Sequence, residues 1–264
     1  MNQLNLMQDV NGTEGYSTKL QLDSSDLDRL RQMIRMQWLY RLQLLAPQQL
    51  HQFDELGIEN YHQLSHLIEH STAWPKTARV LPREAIAIIR KMDFFKQLES
   101  ELGPFQISDE EHLGWENIYW RLVRPGKNDL GSLHTDKWFW DIGGYGKVAD
   151  FPHERLKIWI AIHTTPGKNG LLISPASHLK KDWKWHSEVR YGLNKPVIDE
   201  PIENINLVLL PLASGETVVF HDELIHGGAA NTAETTRVSI EFTLLIPTHV
   251  KESLHTKLQN NVLA

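Results

Sequence analysis

The residue pattern of the chain changes near Pro104, and this change constrains the fold more than any other feature of the sequence. Before this point, apolar residues recur at steps of three and four, which is the spacing of a helix with one buried face. The first such series comprises Leu27, Leu30, Ile34, Trp38 and Leu42. After Pro104, short runs rich in β-branched and aromatic residues are bounded by Gly, Pro or Asn, a pattern typical of strands and turns. The sequence therefore predicts a helical layer followed by β-structure.

Capping and turn residues divide the N-terminal part into segments. Residues 1–20 are polar and are predicted to form a flexible leader. Ser25 is a candidate N-cap of the first helix, and Pro47 ends that helix. Further helical segments are predicted at residues 48–56, 61–70 and 83–97. The arginines of the first helix favour a solvated face on a helix packed against the β-structure, and the alternative is a helix that contacts a membrane surface.

Six strands are predicted after Pro104 from their β-branched and aromatic residues. They cover residues 118–123, 156–163, 170–174, 205–210, 216–221 and 237–246. Short strands separated by turns indicate a sandwich or a jelly roll and not a parallel sheet with alternating helices. Residues 183–201 are predicted to be irregular, which is typical of a binding loop or a lid. We expect a single domain at residues 21–264, with a helical layer at about 21–104 and a jelly-roll core at about 105–250.

Composition excludes several classes of function. The chain has no cysteine, so disulfides and thiolate sites are excluded and any metal must be bound by histidines and carboxylates. A net charge of −6 argues against nucleic acid as a partner, because its binding requires clustered Lys and Arg. The first ten residues lack the features of a secretory signal, and no apolar run reaches the ~20 residues of a transmembrane segment. A cytoplasmic protein is expected, and the sequence gives no indication of its oligomeric state.

Two clusters of residues can bind a metal. The first contains His134 and Asp136, and in an extended chain residues two apart point to the same side, so both can reach one ion. The second contains His221 and His226. The chain has no His-Glu-x-x-His, so a zinc-peptidase helix does not fit. Either histidine can complete a set of two imidazoles and one carboxylate, which leaves three coordination positions open as in non-haem iron(II) oxygenases.

The third element is Arg237-Val238-Ser239 on the last predicted strand. Arg237 and Ser239 share one face of that strand. A guanidinium matches a carboxylate in two parallel hydrogen bonds, and a serine hydroxyl adds one more donor. The alternative is a surface arginine in a salt bridge with Glu234 or Glu241. The two metal-binding clusters upstream favour a carboxylate site.

The order of these motifs resembles that of the phytanoyl-CoA dioxygenase family, whose members depend on iron(II) and 2-oxoglutarate. The pair His134-x-Asp136 is followed by a strand that carries Trp159 and then by residues 169–178, which end in Ser-Pro-Ala-Ser-His. The resemblance covers about residues 115–246. One departure is Ala176, where the family usually has glycine.

The same resemblance selects one of the two downstream histidines. In the family, the second histidine ligand is followed by Asn five residues later and by the cosubstrate arginine eleven residues later. His226, Asn231 and Arg237 have both spacings, whereas His221 has neither. The resemblance therefore implies that His226 is the ligand and that His221 belongs to the β-structure or to the surroundings of the site.

What the resemblance implies is a double-stranded β-helix, or jelly roll, whose three ligands bind a catalytic Fe(II). 2-Oxoglutarate and dioxygen are the implied cosubstrates. The C5 carboxylate of 2-oxoglutarate would bind Arg237, with Ser239 and Trp159 beside it. Decarboxylation of 2-oxoglutarate to succinate and carbon dioxide would drive hydroxylation of an unactivated C–H bond. Asp136 favours hydroxylation, because halogenating relatives have a small residue at this place.

The substrate is expected to be a small polar molecule. Trp138 and Trp140 follow the metal motif, and an extended chain would place both at the mouth of the site. Tyr119 and Arg121 alternate inward on the preceding strand. Aromatic faces near basic side chains suit a ring that bears a carboxylate, so we expect a sugar acid such as Kdo, free or lipid-linked. An amino-acid-like metabolite is an alternative.

Two other classes of function fit parts of the sequence. One is a cupin-like metal-dependent sugar isomerase or binding protein that does not use 2-oxoglutarate, and Arg237 with Ser239 argues against it. The other is a degenerate jelly roll that serves as a binding module. The presence of His134, Asp136 and His226 argues against that class.

Overall fold

The computed structural model describes residues 4–143, 149–190 and 193–248, and in these residues helices precede strands as the change of pattern near Pro104 predicts. The remaining parts of the predicted domain, including residues 249–264, lie outside the described residues. The α-helices of the described part are α1 (Leu6–Val10), α2 (Ser24–Leu45), α3 (Leu50–Leu56), α4 (His70–Ala73), α5 (Arg83–Ile89), α6 (Asp93–Leu102) and α7 (Asp136–Ile142).

Helix α2 follows its predicted apolar spacing. The five residues of the predicted series are all buried. The N-cap is Asp23, whose carboxylate accepts a hydrogen bond from the Asp26 amide at 2.8 Å, so the prediction of Ser25 as the cap is wrong. On the same side of the helix, Arg31 donates to the Ile162 carbonyl and Arg41 to the Ala73 carbonyl. These two arginines therefore hold α2 on the rest of the protein.

The other helical segments differ in detail from their predictions. A 3-10 turn at Pro47–Gln49 precedes α3, and residues 61–70 form mainly 3-10 turns instead of an α-helix. The segment predicted at 83–97 divides into α5 and α6. Within the predicted leader, Leu6–Val10 forms α1 and Tyr16–Ser17 forms β1. Leu6 and Val10 of α1 are fully buried because they pack into the core beneath the helices, although polar residues surround them in the sequence.

The described strands confirm the six predicted ones and add five more. They are β1 (Tyr16–Ser17), β2 (Gln106–Ile107), β3 (Tyr119–Val123), β4 (His153–His163), β5 (Leu171–Ile173), β6 (Trp185–Arg190), β7 (Leu193–Ile198), β8 (Val208–Leu209), β9 (Thr217–His221), β10 (His226–Gly228) and β11 (Arg237–Pro247). A six-stranded sheet has the order β1-β9-β4-β11-β2, and β3 also pairs with β11. A second sheet has the order β10-β5-β8. All these pairings are antiparallel.

The alternation of side chains divides the large sheet into two faces. On one face of β11, Val238, Ile240 and Phe242 pack against the helices in the larger core cluster. The other face of the sheet carries Trp159 of β4, which packs with residues of the second sheet such as Ile173 in a separate cluster. Trp159, one of the predicted cosubstrate residues, therefore lies in the layer between the two sheets.

Residues 183–201 are not irregular. In the described part of this segment, β6 and β7 form an antiparallel hairpin, in which Trp185 pairs with Ile198 and Arg190 with Leu193. Most of its side chains are exposed on both faces of the ribbon, so no apolar alternation marks it in the sequence. The hairpin packs on the domain through Trp185, whose ring stacks on that of Trp138 at 5.4 Å.

Ala176 has a backbone conformation that favours glycine. It lies after β5 with φ 64° and ψ −1°, in the left-handed region. For a residue with a Cβ this region costs about 1–2 kcal/mol, and part of that cost is offset because glycine loses more entropy on folding. We expect Ala176→Gly to raise the free energy of unfolding by about 0.5–1 kcal/mol, as measured by urea denaturation. Ala85→Gly in α5 is the matched control and should lower it by about 1 kcal/mol. A loss of stability in Ala176→Gly would contradict the inference that the backbone of Ala176 is strained.

Candidate metal centre and cosubstrate pocket

The backbone brings the two candidate histidine ligands together. His134 lies opposite His226, the first residue of β10, in an isolated antiparallel bridge. The His134 amide donates to the His226 carbonyl at 3.1 Å, and the His226 amide donates to the His134 carbonyl at 2.9 Å. Paired residues of an antiparallel bridge project to the same side. The ring centroids are accordingly only 4.5 Å apart.

Both imidazoles are oriented by main-chain carbonyl groups. Nδ1 of His134 lies 2.7 Å from the Ser132 carbonyl oxygen, and Nδ1 of His226 lies 2.9 Å from the Leu224 carbonyl oxygen. A carbonyl oxygen only accepts, so each ring donates from Nδ1 and presents the lone pair of Nε2. Burial and the neighbouring His226 lower the pKa of His134 to about 3, so its ring is neutral, as a metal ligand must be.

Asp136 reaches the two histidines from the start of a helix. The sequence predicts an extended chain through His134 and Asp136, but Asp136 is the first residue of α7, and the Thr135 hydroxyl caps this helix by accepting from the Trp138 amide. The Asp136 Oδ2 atom lies 3.7 Å from Nε2 of His226. This oxygen is buried and has no hydrogen-bond partner among the described residues.

These three side chains fit a metal ion. Their ligand atoms all lie within 4.8 Å of one another, and ligands bound about 2.1 Å from one ion at right angles lie about 3 Å apart. Asp136 and His226 are buried, whereas His134 is partly exposed. His221 is outside the group: its ring packs beside His178 at 5.2 Å, and its Nδ1 accepts from the Glu223 amide.

A cleft extends from the two histidines to Arg237. It is lined by Trp159, Leu171 and Gly228 among others. Arg237 is 2% exposed as a residue. Its guanidinium donates from Nη1 to the Gly170 carbonyl at 2.5 Å and lies 6.0 Å from the centre of the Trp159 ring. Burial lowers the pKa of Arg237 to about 10, which leaves it charged at neutral pH.

Two polar atoms beside this cleft need a partner. In the described part of the chain, neither Nε of Arg237 nor the hydroxyl of Ser239 has a hydrogen bond, although both atoms are buried. A buried polar atom without a partner costs about 1–3 kcal/mol, so such atoms are typical of a ligand site. Because Arg237 is buried, it is not the surface arginine of the alternative interpretation, in which it would pair with Glu234 or Glu241.

Asn231 has a structural role that the sequence does not show. Its amide nitrogen donates to the Val123 and Thr235 carbonyl groups, both at 2.8 Å, and its oxygen accepts from Asn169 at 3.0 Å. Asn231 therefore ties the loop between β10 and β11 to the neighbouring strand. This loop sets the position of Arg237 relative to His226.

The predicted substrate residues lie in different surroundings. Because Asp136–Ile142 is helical, Trp138 and Trp140 do not share the face that an extended chain would give them. Trp138 is buried against Trp185, whereas Trp140 is partly exposed and lies 5.1 Å below the Arg155 guanidinium.

Tyr119 and Arg121 lie on the predicted inward face of β3. Arg121 lines the cleft and pairs with Glu241 at 2.6 Å. The Tyr119 hydroxyl donates to the same carboxylate at 3.1 Å, and Tyr119 is buried. Burial opposes ionisation of Glu241, but the charges of Arg121 and Lys157 hold its pKa down at about 2.

Sequence reasoning missed a group of buried charges beneath the metal centre, formed by Lys157 and Glu110. The signal for Lys157 was present, because it is a charged residue in the otherwise apolar run Leu156–Ile162 and shares the face of Trp159. Glu110 has no such signal, since only the fold brings it to β4. The charges of Lys157 and Lys76 outweigh burial and hold the pKa of Glu110 at about 2.

Two imidazoles and one carboxylate are the ligand set of non-haem iron oxygenases, so the fold and the candidate centre together indicate this class. The chain belongs to the phytanoyl-CoA dioxygenase (PhyH) family, whose model matches residues 27–239. The predicted fold class is thereby confirmed, as are Fe(II) and 2-oxoglutarate as the cofactor and cosubstrate of the family. A small-molecule substrate also follows from the family.

Solved structures share the fold at low sequence identity. The apo form of the non-haem monooxygenase ThoJ has 13% identity and a TM-score of 0.56, covering 92% of this chain and 77% of ThoJ. EctD from S. alaskensis in its apo form has 14% identity and a TM-score of 0.53, covering 90% of this chain and 75% of EctD. AviO1 from Streptomyces viridochromogenes Tue57 has 14% identity and a TM-score of 0.52, covering 94% of this chain and 97% of AviO1. No curated protein sequence gives a significant match.

Among the described helices, none has the length and apolar character needed to cross a membrane.

Proposed function

We propose that this protein is a hydroxylase that uses Fe(II), 2-oxoglutarate and dioxygen to oxidise an unactivated C–H bond of a small polar metabolite. In this proposal, His134, Asp136 and His226 hold the iron. The observation that carries it is the set of buried, unpartnered polar atoms of Asp136, Arg237 and Ser239 around a cleft that the two histidines and Arg237 line. Asp136 Oδ2 faces Nε2 of His226, and Nε of Arg237 and the Ser239 hydroxyl belong to residues on one face of β11.

The protein's part in the reaction follows from these positions. When bound, iron supplies the redox chemistry that couples decarboxylation of 2-oxoglutarate to oxidation of the substrate. Arg237 and Ser239 bind the C5 carboxylate in a buried setting, where charge-assisted hydrogen bonds are strong. Trp159 forms the adjoining wall and limits where the cosubstrate chain can lie. Asp136 occupies the position that halogenating relatives leave to a small residue, so hydroxylation is the proposed outcome.

We propose a sugar acid such as Kdo, free or lipid-linked, as the substrate. Arg121 supports this proposal because its side chain lines the cleft and is 36% exposed, so a carboxylate of the substrate can approach it beside Glu241. Trp140, beside the Arg155 guanidinium, offers a partly exposed aromatic ring one turn after Asp136 in α7. Tyr119 supports Arg121 from a buried position, because both contact the Glu241 carboxylate. Trp138 is buried against Trp185, and its contact with the substrate stays a prediction. A cytoplasmic location and peripheral contact with a membrane stay predictions.

Anaerobic titration of the iron(II)-loaded protein with 2-oxoglutarate tests this function. We expect a weak visible charge-transfer band to appear and saturate, because the α-oxoacid binds the ion through two oxygens. On admission of air, succinate should form, and a matching sugar acid should accelerate its release more than the corresponding amide does. If the protein binds iron but shows no such band, the result would favour the cupin-like isomerase, which does not use 2-oxoglutarate. Such an isomerase would not require the buried Arg237 as a carboxylate site.

A further inference from the structure

Lys157 is a fully buried lysine next to the candidate metal centre. It lies on β4, two residues before Trp159, and its side chain is 3% exposed. Its ammonium group lies 3.5 Å from Oδ1 of Asp136 and 3.5 Å from Oε1 of Glu110. It also donates to the Thr243 hydroxyl at 3.3 Å and to the Tyr119 hydroxyl at 3.4 Å.

These contacts divide the two oxygens of Asp136 between two partners. Oδ1 faces Lys157, whereas Oδ2 faces Nε2 of His226 and has no hydrogen bond within the described residues. The carboxylate is thus oriented from behind, with one oxygen directed to the site and the other directed to the ammonium group. Groups that contact a metal ligand in this way fix its orientation and commonly contribute a factor of 10–100 to metal affinity.

We propose that Lys157 is a positioning residue that holds Asp136 as a ligand through Oδ2 alone. Glu110 supports Lys157 in this role, because its negative charge offsets the cost of burying the ammonium group. Glu110 itself accepts hydrogen bonds from Lys76 at 2.8 Å and from the Thr243 hydroxyl at 2.6 Å. This inference rests on the proposed metal site and adds to it the role of a residue that does not contact the metal.

The position of Lys157 and its positive charge are expected to have opposite effects on metal affinity, so the two can be separated by experiment. A lysine near a cation repels it, so if Lys157 acts only through its charge, removing it would not weaken metal binding. The double variant Lys157→Met, Glu110→Gln removes one positive and one negative charge together, and it leaves the net charge around the site unchanged. In Glu110→Gln the amide oxygen can still accept from Lys76, and the amide nitrogen can donate to the Thr243 hydroxyl, which acts as donor or acceptor. The single variant Glu110→Gln is the matched control, because it keeps the contact between Lys157 and Asp136.

Mn(II) is titrated into the metal-free wild-type, control and double-variant proteins, with circular dichroism and melting temperature as checks of folding. We expect the Kd of the double variant to exceed the wild-type Kd by tenfold or more, because the freed Asp136 carboxylate turns away from the histidines. A folded double variant whose Kd lies within tenfold of the wild-type value overturns the inference. Failure of the wild-type protein itself to bind Mn(II) is a different result, and it contradicts the proposed function.

A crystal structure of the wild-type protein with Mn(II) gives the second measurement, and it does not depend on how any variant folds. Asp136 is expected to bind the ion through Oδ2, with Oδ1 within hydrogen-bond distance of the Lys157 ammonium group. An Asp136 carboxylate bound to Mn(II) through both oxygens, or one that has turned away from Lys157, overturns the inference.

Discussion

Each of the substitutions His134→Ala, Asp136→Ala and His226→Ala is expected to abolish iron binding and turnover. In the proposed centre these three side chains supply the protein ligands, and they are the group that the described residues offer for a metal ion. Iron content after anaerobic loading and desalting measures the effect directly. Succinate formation in air should fall in parallel.

His221→Ala is the matched control for these substitutions. His221 is a histidine of the same segment as His226, but it lies against His178 and away from the group of three. The variant should retain iron near the wild-type level. An iron-free His221→Ala protein, together with an iron-loaded His226→Ala protein, would show that the second histidine ligand has been assigned to the wrong residue.

Arg237→Ala is expected to weaken the binding of 2-oxoglutarate by about 2–3 kcal/mol, the range for loss of a charge-assisted bidentate partner. This corresponds to a rise in Kd of about 30- to 150-fold. Iron should remain bound, because Arg237 is not one of the three side chains grouped for metal binding. The charge-transfer band in the anaerobic titration reports the affinity, and metal analysis reports the iron.

Arg41→Ala provides the comparison for Arg237→Ala. Arg41 also donates to a main-chain carbonyl, that of Ala73, but it does so in the helical layer. The affinity of this variant for 2-oxoglutarate should equal that of the wild type. An unchanged affinity in Arg237→Ala would place the carboxylate site elsewhere in the cleft.

Most of the fold could be predicted because its periodicities are strong. The apolar series of α2 and the β-branched runs of β4 and β11 face the same core, so local pattern and tertiary packing agree. The hairpin of β6 and β7 could not be recognised in this way, since most of its side chains are exposed. The first helix α1 was missed because its two buried residues lie among polar ones.

The candidate centre could be predicted in composition but not in geometry. The spacings among His226, Asn231 and Arg237 identify which residues belong together. The sequence does not show that a helix begins at Asp136, because the aromatic residues that follow Asp136 are equally common in strands. The capping hydroxyl of Thr135 is the local cause of the helix. The contact between Lys157 and Glu110 depends on the assembled sheet and on no local pattern.

The main-chain carbonyl groups that orient His134 and His226 have a consequence for how this centre changes in evolution. Every residue has a carbonyl group, so replacement of Ser132 or Leu224 by another amino acid keeps the acceptor as long as the chain follows the same path. The direction of each imidazole is therefore inherited with the backbone and not with neighbouring side chains. Such a centre tolerates extensive sequence drift around its ligands, which leaves the surrounding positions free to diverge toward new substrates.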